Sequence, residues 1–217
     1  MNIIDEEKLN SSFPACGSRI SILEEAVSTN TMLKGLAREG APSGTVLIAL
    51  RQTGGRGRLG HSFESPAGGI YFSYLMHPKT SPEETAEITM CTAVYVRRMI
   101  IDLTGIEPDI KYVNDLLYKG KKLCGILTEL IEGNLIIGIG LNVNNSSNGF
   151  PDELKDIVVS LSDLCGHELD LNEFAFGLVS AIDKLAASWP ECKEEALTQY
   201  KKYCINPEKM YKENGAV

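Results

Sequence analysis

A glycine-rich, basic segment, Gln52–His61, is the part of the sequence whose residue types most clearly indicate a chemical role. Four glycines fall within seven consecutive residues of this segment, so the backbone can approach a ligand closely and offer it N–H groups. Arg56 and Arg58 add fixed positive charge, and no acidic residue occurs between Arg51 and Phe63. Because the whole chain has a net charge of -8, this local positive charge predicts a site for a carboxylate or phosphate. The alternative interpretation is a solvated surface loop.

Two known nucleotide-binding motifs overlap this segment only formally. Gly55–Gly60 fits the pattern G-x-G-x-x-G, but a dinucleotide fingerprint requires a helix that begins inside the motif. The following residues, HSFESPAGG, cannot continue as a helix. The stretch is not a P-loop either, because His61 stands where a lysine must reach the phosphates. We therefore expect neither of these two nucleotide sites.

A second group of polar residues lies around an Asn-Asp pair. Asn114 and Asp115 supply hard oxygen ligands of the kind that hold Mg²⁺ beside a nucleotide triphosphate. Lys111 precedes them on a short predicted strand, and Lys122 follows on the next strand after a turn. A hairpin would bring both ammonium groups to one pocket. Since Asn-Asp is also a common turn pair, this segment alone leaves a ligand site and a solvated turn equally open.

A third feature is an apolar strand interrupted by glycines. Gly138 and Gly140 weaken such a strand unless another group packs closely against the backbone. Asn142 is a polar residue at the end of this otherwise apolar strand. We therefore predict that Asn142 turns toward a ligand.

Composition excludes several classes of protein. The 217 residues are 43% hydrophobic and 23% charged, which is typical of a globular chain with one substantial core and excludes wholesale disorder. The net negative charge argues against a general nucleic-acid binder, and no apolar run is long enough to span a membrane. The six cysteines show no CxxC spacing, and the N-terminus has no apolar secretory region. We expect a cytoplasmic protein with reduced thiols.

Periodicity and capping signals indicate an α+β architecture. The predicted helices are Thr29–Arg38, a helix from the Ser81-Pro82-Glu83-Glu84 capping box to about Leu103, one from the Asp170–Glu173 box to about Ser188, and one from about Glu191 to Lys202. The predicted strands are Thr45–Arg51, Ile70–Met76, Ile110–Val113, Leu116–Tyr118, Lys122 to about Leu130 and Leu135–Val143. The last strands are joined by turns, so we predict a central mixed, mostly antiparallel sheet flanked by helices that cover one face.

In this order and spacing, the segments resemble the catalytic domain of bacterial biotin–protein ligases over about residues 20 to 190. Each segment is weakly diagnostic alone, but together they are highly specific. The matching segments are Ser28-Thr29-Asn30, Gln52 with Gly55–Gly60, Ser65–Gly68, Lys111 with Asn114-Asp115, Lys122 with Gly125-Ile126-Leu127 and Glu129, and Gly138–Val143. The resemblance implies a sheet like that of class II aminoacyl-tRNA synthetases. It also implies that ATP activates biotin to biotinyl-5′-AMP, from which biotin passes to a lysine of a carrier domain.

The resemblance also implies roles for individual residues, with Mg²⁺ as cofactor and biotin and ATP as substrates. Residues implied to bind biotin are Ser28, Thr29, Asn30, Gln52, Gly55, Arg56, Gly57, Arg58, Lys122 and Gly125. Residues implied to bind ATP are Arg58, His61, Phe63, Lys111, Asn114 and Asn142, and those implied to hold the metal are Asp115 and Asn114. The implied catalytic residues are Lys122, Arg56, Arg58 and Lys111, with Arg56 and Arg58 on a loop that closes over the adenylate.

The sequence departs from the family pattern at several places. His61 replaces an arginine that resembles a triphosphate contact, and an imidazole is largely neutral at pH 7. Phe63 replaces a tryptophan, and Tyr112-Val113 replaces Trp-Pro. We expect a catalytic domain over 1–190 and a C-terminal helical segment over 191–217, without the family's SH3-like domain.

Expectations about partners follow from the same comparison of patterns. The roughly 20 residues before the catalytic domain cannot hold a helix-turn-helix, so we expect no DNA-binding repressor function. The expected partner is the biotin carboxyl carrier domain of a biotin-dependent carboxylase, with no membrane partner. We expect a monomer or homodimer.

Two alternatives remain open at this point. A lipoate–protein ligase would share the fold and the acyl-adenylate chemistry, but its first motif resembles RRxSGGG rather than Gly55–Gly60. A non-catalytic biotin-binding protein is the other alternative, because His61 and the missing C-terminal domain both depart from the family.

Overall fold

A seven-stranded sheet forms the centre of the protein in the computed structural model, which describes residues 4–13, 19–78, 81, 84–145 and 149–206. The strands are β1 (Ile20–Leu23), β2 (Val46–Ala49), β3 (Ile70–Met76), β4 (Asp109–Lys111), β5 (Asp115–Tyr118), β6 (Lys121–Ile131) and β7 (Asn134–Leu141). The helices are α1 (Glu6–Ser12), α2 (Thr29–Arg38), α3 (Thr85–Thr104), α4 (Leu161–Cys165), α5 (Leu171–Ser188) and α6 (Lys193–Tyr203). The order in the sheet is β1-β2-β3-β7-β6-β5-β4.

The pairing of these strands confirms the predicted mixed, mostly antiparallel sheet. Only β1 and β2 run parallel, and every other neighbouring pair is antiparallel. The predicted hairpins β4–β5, β5–β6 and β6–β7 are all present. β1, α1 and α4 were not predicted from the sequence.

The two faces of the sheet are covered by different helices, because successive strand residues point to opposite sides. On β3, Phe72 and Tyr74 belong to the main core, which also contains buried residues of α3 and α5. Leu75 points to the other face and packs with Leu33 of α2 and Ile136 of β7 in a separate cluster. The expectation that helices cover only one face was therefore wrong, since α2 covers part of the second face.

The ends of the helices follow the predicted capping chemistry in part. Ser28 precedes α2 and its hydroxyl accepts a hydrogen bond from the Thr31 N–H. The Asp170 carboxylate caps α5 by accepting from the Asn172 N–H, although Glu173 does not complete the predicted box. At α3, the Ser81 N–H donates to the Glu84 carboxylate as predicted, and the helix begins at Thr85. The other two residues of that predicted box, 82 and 83, lie outside the described residues.

The described part of the C-terminal segment packs into the same core as the rest of the chain. Tyr200 of α6 is fully buried, and the Ile205 N–H donates to the Ile110 carbonyl of β4. The described part of this segment thus packs with the rest of the fold, and the division into 1–190 and 191–217 stays a prediction. Residues 207–217 lie outside the described part of the chain.

Two further observations bear on the sequence predictions. Within the described ranges, no helix is both long and apolar enough to cross a membrane. The five cysteines that the structure describes are free thiols, and Cys16 lies outside the described residues.

Candidate active site

A cavity of about 270 Å³ lies on the face of the sheet that carries α2. Its walls come from the start of α2, from the segment between β2 and β3, and from strands β5, β6 and β7. The lining residues are Ser28, Thr29, Asn30, Gln52, Arg56, Gly57, Arg58, His61, Ser62, Phe63, Tyr71, Phe72, Asn114, Asp115, Lys122, Gly125, Ile126, Leu127, Gly138, Ile139 and Gly140. The basic segment, the Asn-Asp group and the strand glycines singled out in the sequence thus all contribute to one cavity.

The floor of the cavity is built from glycines of β6 and β7. A β-carbon at Gly138 would collide with the amide of Asn30, and one at Gly140 would collide with the Phe63 ring. A β-carbon at Gly125 would lie 2.7 Å from the same ring. The expectation that a group packs against the strand glycines is confirmed, and the packing groups are side chains of the protein itself.

One end of the cavity is lined by hydrogen-bonded side chains. The Thr29 N–H donates to Gln52 Oε1 at 2.9 Å, and Gln52 Nε2 donates to Ser65 Oγ at 3.0 Å. The Ser73 hydroxyl lies 2.7 Å from Thr29 Oγ1 and 2.6 Å from Asn30 Oδ1. Thr29, Asn30, Ser65 and Ser73 are buried, so this polar end is held rigidly.

The cavity is also lined by cationic groups. Lys122 Nζ lies 2.9 Å from Asp115 Oδ1 and 5.3 Å from the centre of the Phe63 ring. Arg56, Arg58 and His61 approach this cavity from the segment between β2 and β3. These groups can therefore neutralise a negatively charged ligand group.

The basic segment folds as an irregular hairpin and not as an open loop. Isolated bridges join Gln52 to Ser65 and Arg56 to Ser62, and the tip is a single 3₁₀ turn over Arg58–Gly60. Leu59 at this tip is 90% exposed and has a positive φ of 55°. A single turn is too short to be the helix of a dinucleotide fingerprint, which agrees with the sequence argument.

A model of the biotin/lipoate A/B protein ligase family matches residues 23–144, more than half of the chain. The chain belongs to this family. It is 43% identical to the bifunctional ligase/repressor BirA of Bacillus subtilis over 149 residues, which are 66% of this chain and 46% of that relative. It is 28% identical over 207 residues to the biotin–[acetyl-CoA-carboxylase] ligase of Mycobacterium tuberculosis, covering 91% and 76% of the two chains.

A solved structure confirms the fold expected for this ligase family. The biotin protein ligase from Aquifex aeolicus, in complex with biotin and ATP, superposes with a TM-score of 0.73 at 33% identity. The match covers 85% of this chain and 75% of that one. The chain spans about half the length of the Bacillus relative.

Three residues that the family resemblance assigned to ligands do not line the cavity. Asn142 is 3% exposed, and its amide is used within the protein: Nδ2 donates to the carbonyls of Lys122 and Val159, and Oδ1 accepts from Asn145. Its polar group therefore ties β7 to neighbouring residues of the protein, and its role toward ATP stays a prediction.

The other two residues are Gly55 and Lys111. A β-carbon at Gly55 would collide with the Phe63 carbonyl and lie 2.6 Å from Ser65 Oγ, so this glycine is needed where the two arms of the hairpin meet. Lys111 is exposed on the edge strand β4. It pairs in register with Asp115, so both side chains leave the sheet on the same face and Lys111 lies at the rim of the cavity.

Several residues of this cavity were missed from the sequence. Tyr71 and Leu127 line the cavity, and Ser73 supports it through its hydrogen bonds. The period of two along β6, counted from Gly125, could have found Leu127. Tyr71 and Ser73 share a face of β3, but their place beside Gly140 and Gly138 depends on the pairing of β3 with β7. Ser62 follows His61 in the hairpin and carried no distinct signal.

Ionisable groups near the cavity do not supply a nucleophile. Burial raises the pKa of the Cys124 thiol, and the neighbouring Lys122 charge only partly opposes this shift. Burial likewise raises the pKa of the Tyr71 phenol, whose O–H donates to the Pro66 carbonyl at 2.6 Å. Both groups stay protonated near neutral pH, so chemistry here would depend on positioning and on charge.

The residues predicted to hold Mg²⁺ fit a site completed by phosphates. Asp115 Oδ1 is buried and, although it lies close to Lys122 Nζ, it accepts no well-directed hydrogen bond within the described part of the chain. Asn114 Nδ2 donates to the Ile126 carbonyl at 2.8 Å, which fixes the orientation of the amide oxygen. No group of three or more acidic, His or Cys side chains is placed to bind a metal among the described residues. Mg²⁺ usually takes one or two protein oxygens together with substrate phosphates, so this sparse set is suitable.

Proposed function

We propose that this protein activates biotin with ATP to form biotinyl-5′-AMP and then transfers biotin to a lysine of a carrier domain. Membership of the biotin/lipoate ligase family and the 33% identity to a biotin protein ligase solved with biotin and ATP support this proposal. The single observation that carries it is the polarity of the cavity. Its lining combines buried hydrogen-bonding oxygens around the start of α2 with the cationic side chains Lys122, Arg56 and Arg58. Such a cavity suits a molecule with a polar uncharged ring and a carboxylate.

The cationic side chains have to bring two anions together. Biotin's carboxylate must attack the α-phosphorus of ATP, and the repulsion between these groups is the main obstacle. Lys122, Arg56 and Arg58 neutralise the charge and align the groups, which is catalysis by positioning and electrostatics. The carboxylate is its own nucleophile, so a protonated Cys124 beside the site is no obstacle. Pyrophosphate leaves as the acyl-adenylate forms.

The Lys122–Asp115 pair gives this step a simple sequence of contacts. In the structure the ammonium group is paired with Asp115 at 2.9 Å. When biotin's carboxylate enters, Lys122 turns to it and the Asp115 carboxylate becomes available. Asp115, with Asn114, would hold Mg²⁺, which supplies charge neutralisation for the triphosphate.

The second half of the reaction requires protection of the adenylate and an acceptor lysine. The mixed anhydride is destroyed by water, so the hairpin that carries Arg56 and Arg58 would cover it until the lysine amine attacks and AMP leaves. The name of the Mycobacterium tuberculosis relative points to acetyl-CoA carboxylase, and we propose a carboxylase carrier domain as the acceptor. A cytoplasmic location, the absence of DNA binding and a monomeric or dimeric state stay predictions.

Biotin-dependent exchange of labelled pyrophosphate into ATP tests the activation step. The purified protein should catalyse exchange with biotin and Mg²⁺ and should not with lipoate. Transfer is then measured by the streptavidin signal on a purified carrier domain. Exchange with lipoate alone would favour a lipoate ligase, and biotin binding without exchange would identify a non-catalytic binding protein.

A further inference from the structure

Two charged residues lie behind the polar end of the cavity without lining it. Glu129 of β6 projects toward α2, where its Oε1 lies 2.5 Å from Lys34 Nζ. Its Oε2 accepts a hydrogen bond of 2.9 Å from Asn30 Nδ2. Both charged side chains are mostly buried, with exposed fractions of 18% for Lys34 and 27% for Glu129. Asn30 therefore connects an ion pair outside the cavity with the cavity itself.

This contact fixes which way the Asn30 amide points. Its NH₂ group donates to Glu129 and also lies 3.3 Å from the Leu127 carbonyl, so two acceptors surround it. A rotated amide would place Oδ1 beside both acceptors and would leave its desolvated NH₂ without them. Asn30 Oδ1 is consequently held against the Ser73 hydroxyl, at 2.6 Å.

A count of protons shows what this orientation does to the cavity. The single proton of the Ser73 hydroxyl is shared between Asn30 Oδ1 and Thr29 Oγ1. The Thr29 hydroxyl is directed at Gln52 Oε1, 3.2 Å away. Because each hydroxyl has one proton, both protons are used inside this group of residues. Thr29 and Asn30 can therefore offer a ligand only lone pairs.

We propose that Glu129, held in place by Lys34, is a positioning residue that makes Thr29 and Asn30 accept hydrogen bonds from a ligand but not donate them. Such a surface selects a ring that carries N–H donors. The inference rests on the proposed function, in which biotin is the ligand. The cyclic urea of biotin has two N–H groups, whereas the dithiolane ring of lipoate has none. Glu129 would thus act on ring recognition through Asn30, without touching the ring.

The substitution Glu129→Gln reverses this polarity by a predictable route. A glutamine at this position has one carbonyl oxygen, and the Lys34 ammonium takes it as the stronger donor. The glutamine NH₂ then faces Asn30, so the Asn30 amide must rotate and direct its own NH₂ at Ser73. The Ser73 proton then goes to Thr29 Oγ1 alone, and Asn30 offers the cavity an N–H where it offered a lone pair, so biotin's ring N–H would meet a donor in place of an acceptor. Loss of one such bond weakens binding by about tenfold to a hundredfold.

The double substitution Lys34→Met with Glu129→Gln should rescue binding. Without the ammonium, the glutamine can turn its carbonyl oxygen to Asn30 and restore the original orientation. A matched control is Glu132→Gln. Glu132 pairs at 3.3 Å with Arg38, which lies on α2 like Lys34, and both side chains of this pair are more than half exposed. That pair is farther from the cavity and has no contact with Asn30.

The experiment measures the Kd of biotin by calorimetry, the KM for ATP in pyrophosphate exchange and the thermal midpoint of every variant. We expect Glu129→Gln to weaken biotin binding tenfold or more with the KM for ATP within about twofold of wild type, since ATP binds elsewhere. The double variant and Glu132→Gln should bind biotin within about threefold of wild type. A purely structural role of the ion pair would instead make the double variant at least as weak as the single one.

Each other outcome is decisive as well. Wild-type protein that does not bind biotin overturns the proposed function and this inference with it. If wild type binds biotin and folded Glu129→Gln binds equally well, the proposed function stands and the role of Glu129 is refuted. If Glu129→Gln does not fold, a folded double variant decides: normal biotin binding supports the inference, and weak binding overturns it.

Discussion

Replacement of Lys122 by methionine is the most direct test of the cationic groups that line the cavity. Methionine keeps a flexible side chain of similar reach and removes only the charge. In the structure the ammonium lies 2.9 Å from Asp115 Oδ1, and the end of the side chain passes close to the backbone of Gly125. The ammonium therefore lies beside Asp115, within reach of a carboxylate that enters the cavity.

The existing pair with Asp115 sets the scale for a contact between Lys122 and biotin's carboxylate. Two unit charges at 2.9 Å attract by roughly 6 kcal/mol at an effective dielectric constant of about 20. This value is an upper bound, because the Lys122 side chain is 32% exposed and solvent screens it. Removal of one partner from a hydrogen-bonded charge pair costs about 2–5 kcal/mol, and partial exposure favours the lower part, about 2–3 kcal/mol. Since 1.36 kcal/mol is a tenfold change, kcat/KM for biotin should fall about 30- to 150-fold.

The assay is pyrophosphate exchange at varied biotin concentration, with Lys121→Met as the matched control. Lys121 is the preceding residue on β6, is exposed and does not line the cavity. Its substitution should change kcat/KM by less than about twofold, as for most surface changes. Equal losses at positions 121 and 122, or a loss at Lys122 below about threefold, would refute the assignment of Lys122 to the carboxylate. The thermal midpoint separates this loss from unfolding caused by an unpaired Asp115.

Three further predictions address the hairpin, the ATP contact and helix capping. Biotin with ATP should slow amide hydrogen exchange in Gly54–Phe63, because the charges of the hairpin gain partners only with ligand; unchanged exchange rates would count against a covering role. His61→Arg should lower the KM for ATP and leave the KM for biotin unchanged, because a guanidinium carries a fixed charge and can donate two parallel hydrogen bonds to a phosphate; a silent substitution would remove His61 from the site. The pKa of the Asp170 carboxyl is lowered by hydrogen bonds from the side chain and the backbone N–H of Asn172. The stability that this carboxylate contributes is therefore present above the pKa of the unfolded chain and is lost as the pH falls through the lowered pKa. Asp170→Ala should thus cost about 1 kcal/mol in urea unfolding at neutral pH and little in strong acid; an equal loss at both pH values would contradict the argument.

Much of the sheet and of α2 could be predicted because local chemistry specifies them. The helix Thr29–Arg38 has the same limits in the sequence prediction and in the structure, since Ser28 caps its start and Gly40 follows its end. Strand Ile70–Met76 also has its predicted limits, because apolar and aromatic residues fill every position except Ser73. Strand Ile20–Leu23 was missed, since four residues of mixed polarity carry little periodic signal and its partner β2 is distant in sequence.

The direction of individual side chains was the part that sequence could not decide. Asn142 and Asn30 are both polar residues next to apolar elements, yet only Asn30 faces the cavity. Gly55 and Gly140 are both glycines required by close contact, but the partner of Gly55 is the opposite arm of its own hairpin and that of Gly140 is the Phe63 ring. A residue type indicates that a close or polar partner is needed, whereas the identity of the partner depends on the tertiary fold.

The register of the sheet explains why recognition and catalysis share one cavity. Residues in register across β3, β7 and β6 form three parallel rows on the α2 face: Leu75, Ile136 and Glu129; Ser73, Gly138 and Leu127; and Tyr71, Gly140 and Gly125. The first row lies under α2 and is bulky or charged, the second meets the start of α2 at Asn30, and the third lies beneath Phe63.

Side-chain volume in these rows therefore sets the boundary between helix and cavity. At the level of Leu75 and Ile136, which are large, α2 packs on the sheet. At the level of the β7 glycines, beyond the N-terminus of α2, the cavity opens. Glu129 lies on the bulky side of this boundary and Gly125 on the open side, four residues apart on one strand, with Lys122 just beyond. Under the proposed function, the ring would contact Asn30, which lies beside Leu127 and Glu129, and the carboxylate would pair with Lys122. The strand would then fix the distance between these two contacts and so restrict the length of the substrate.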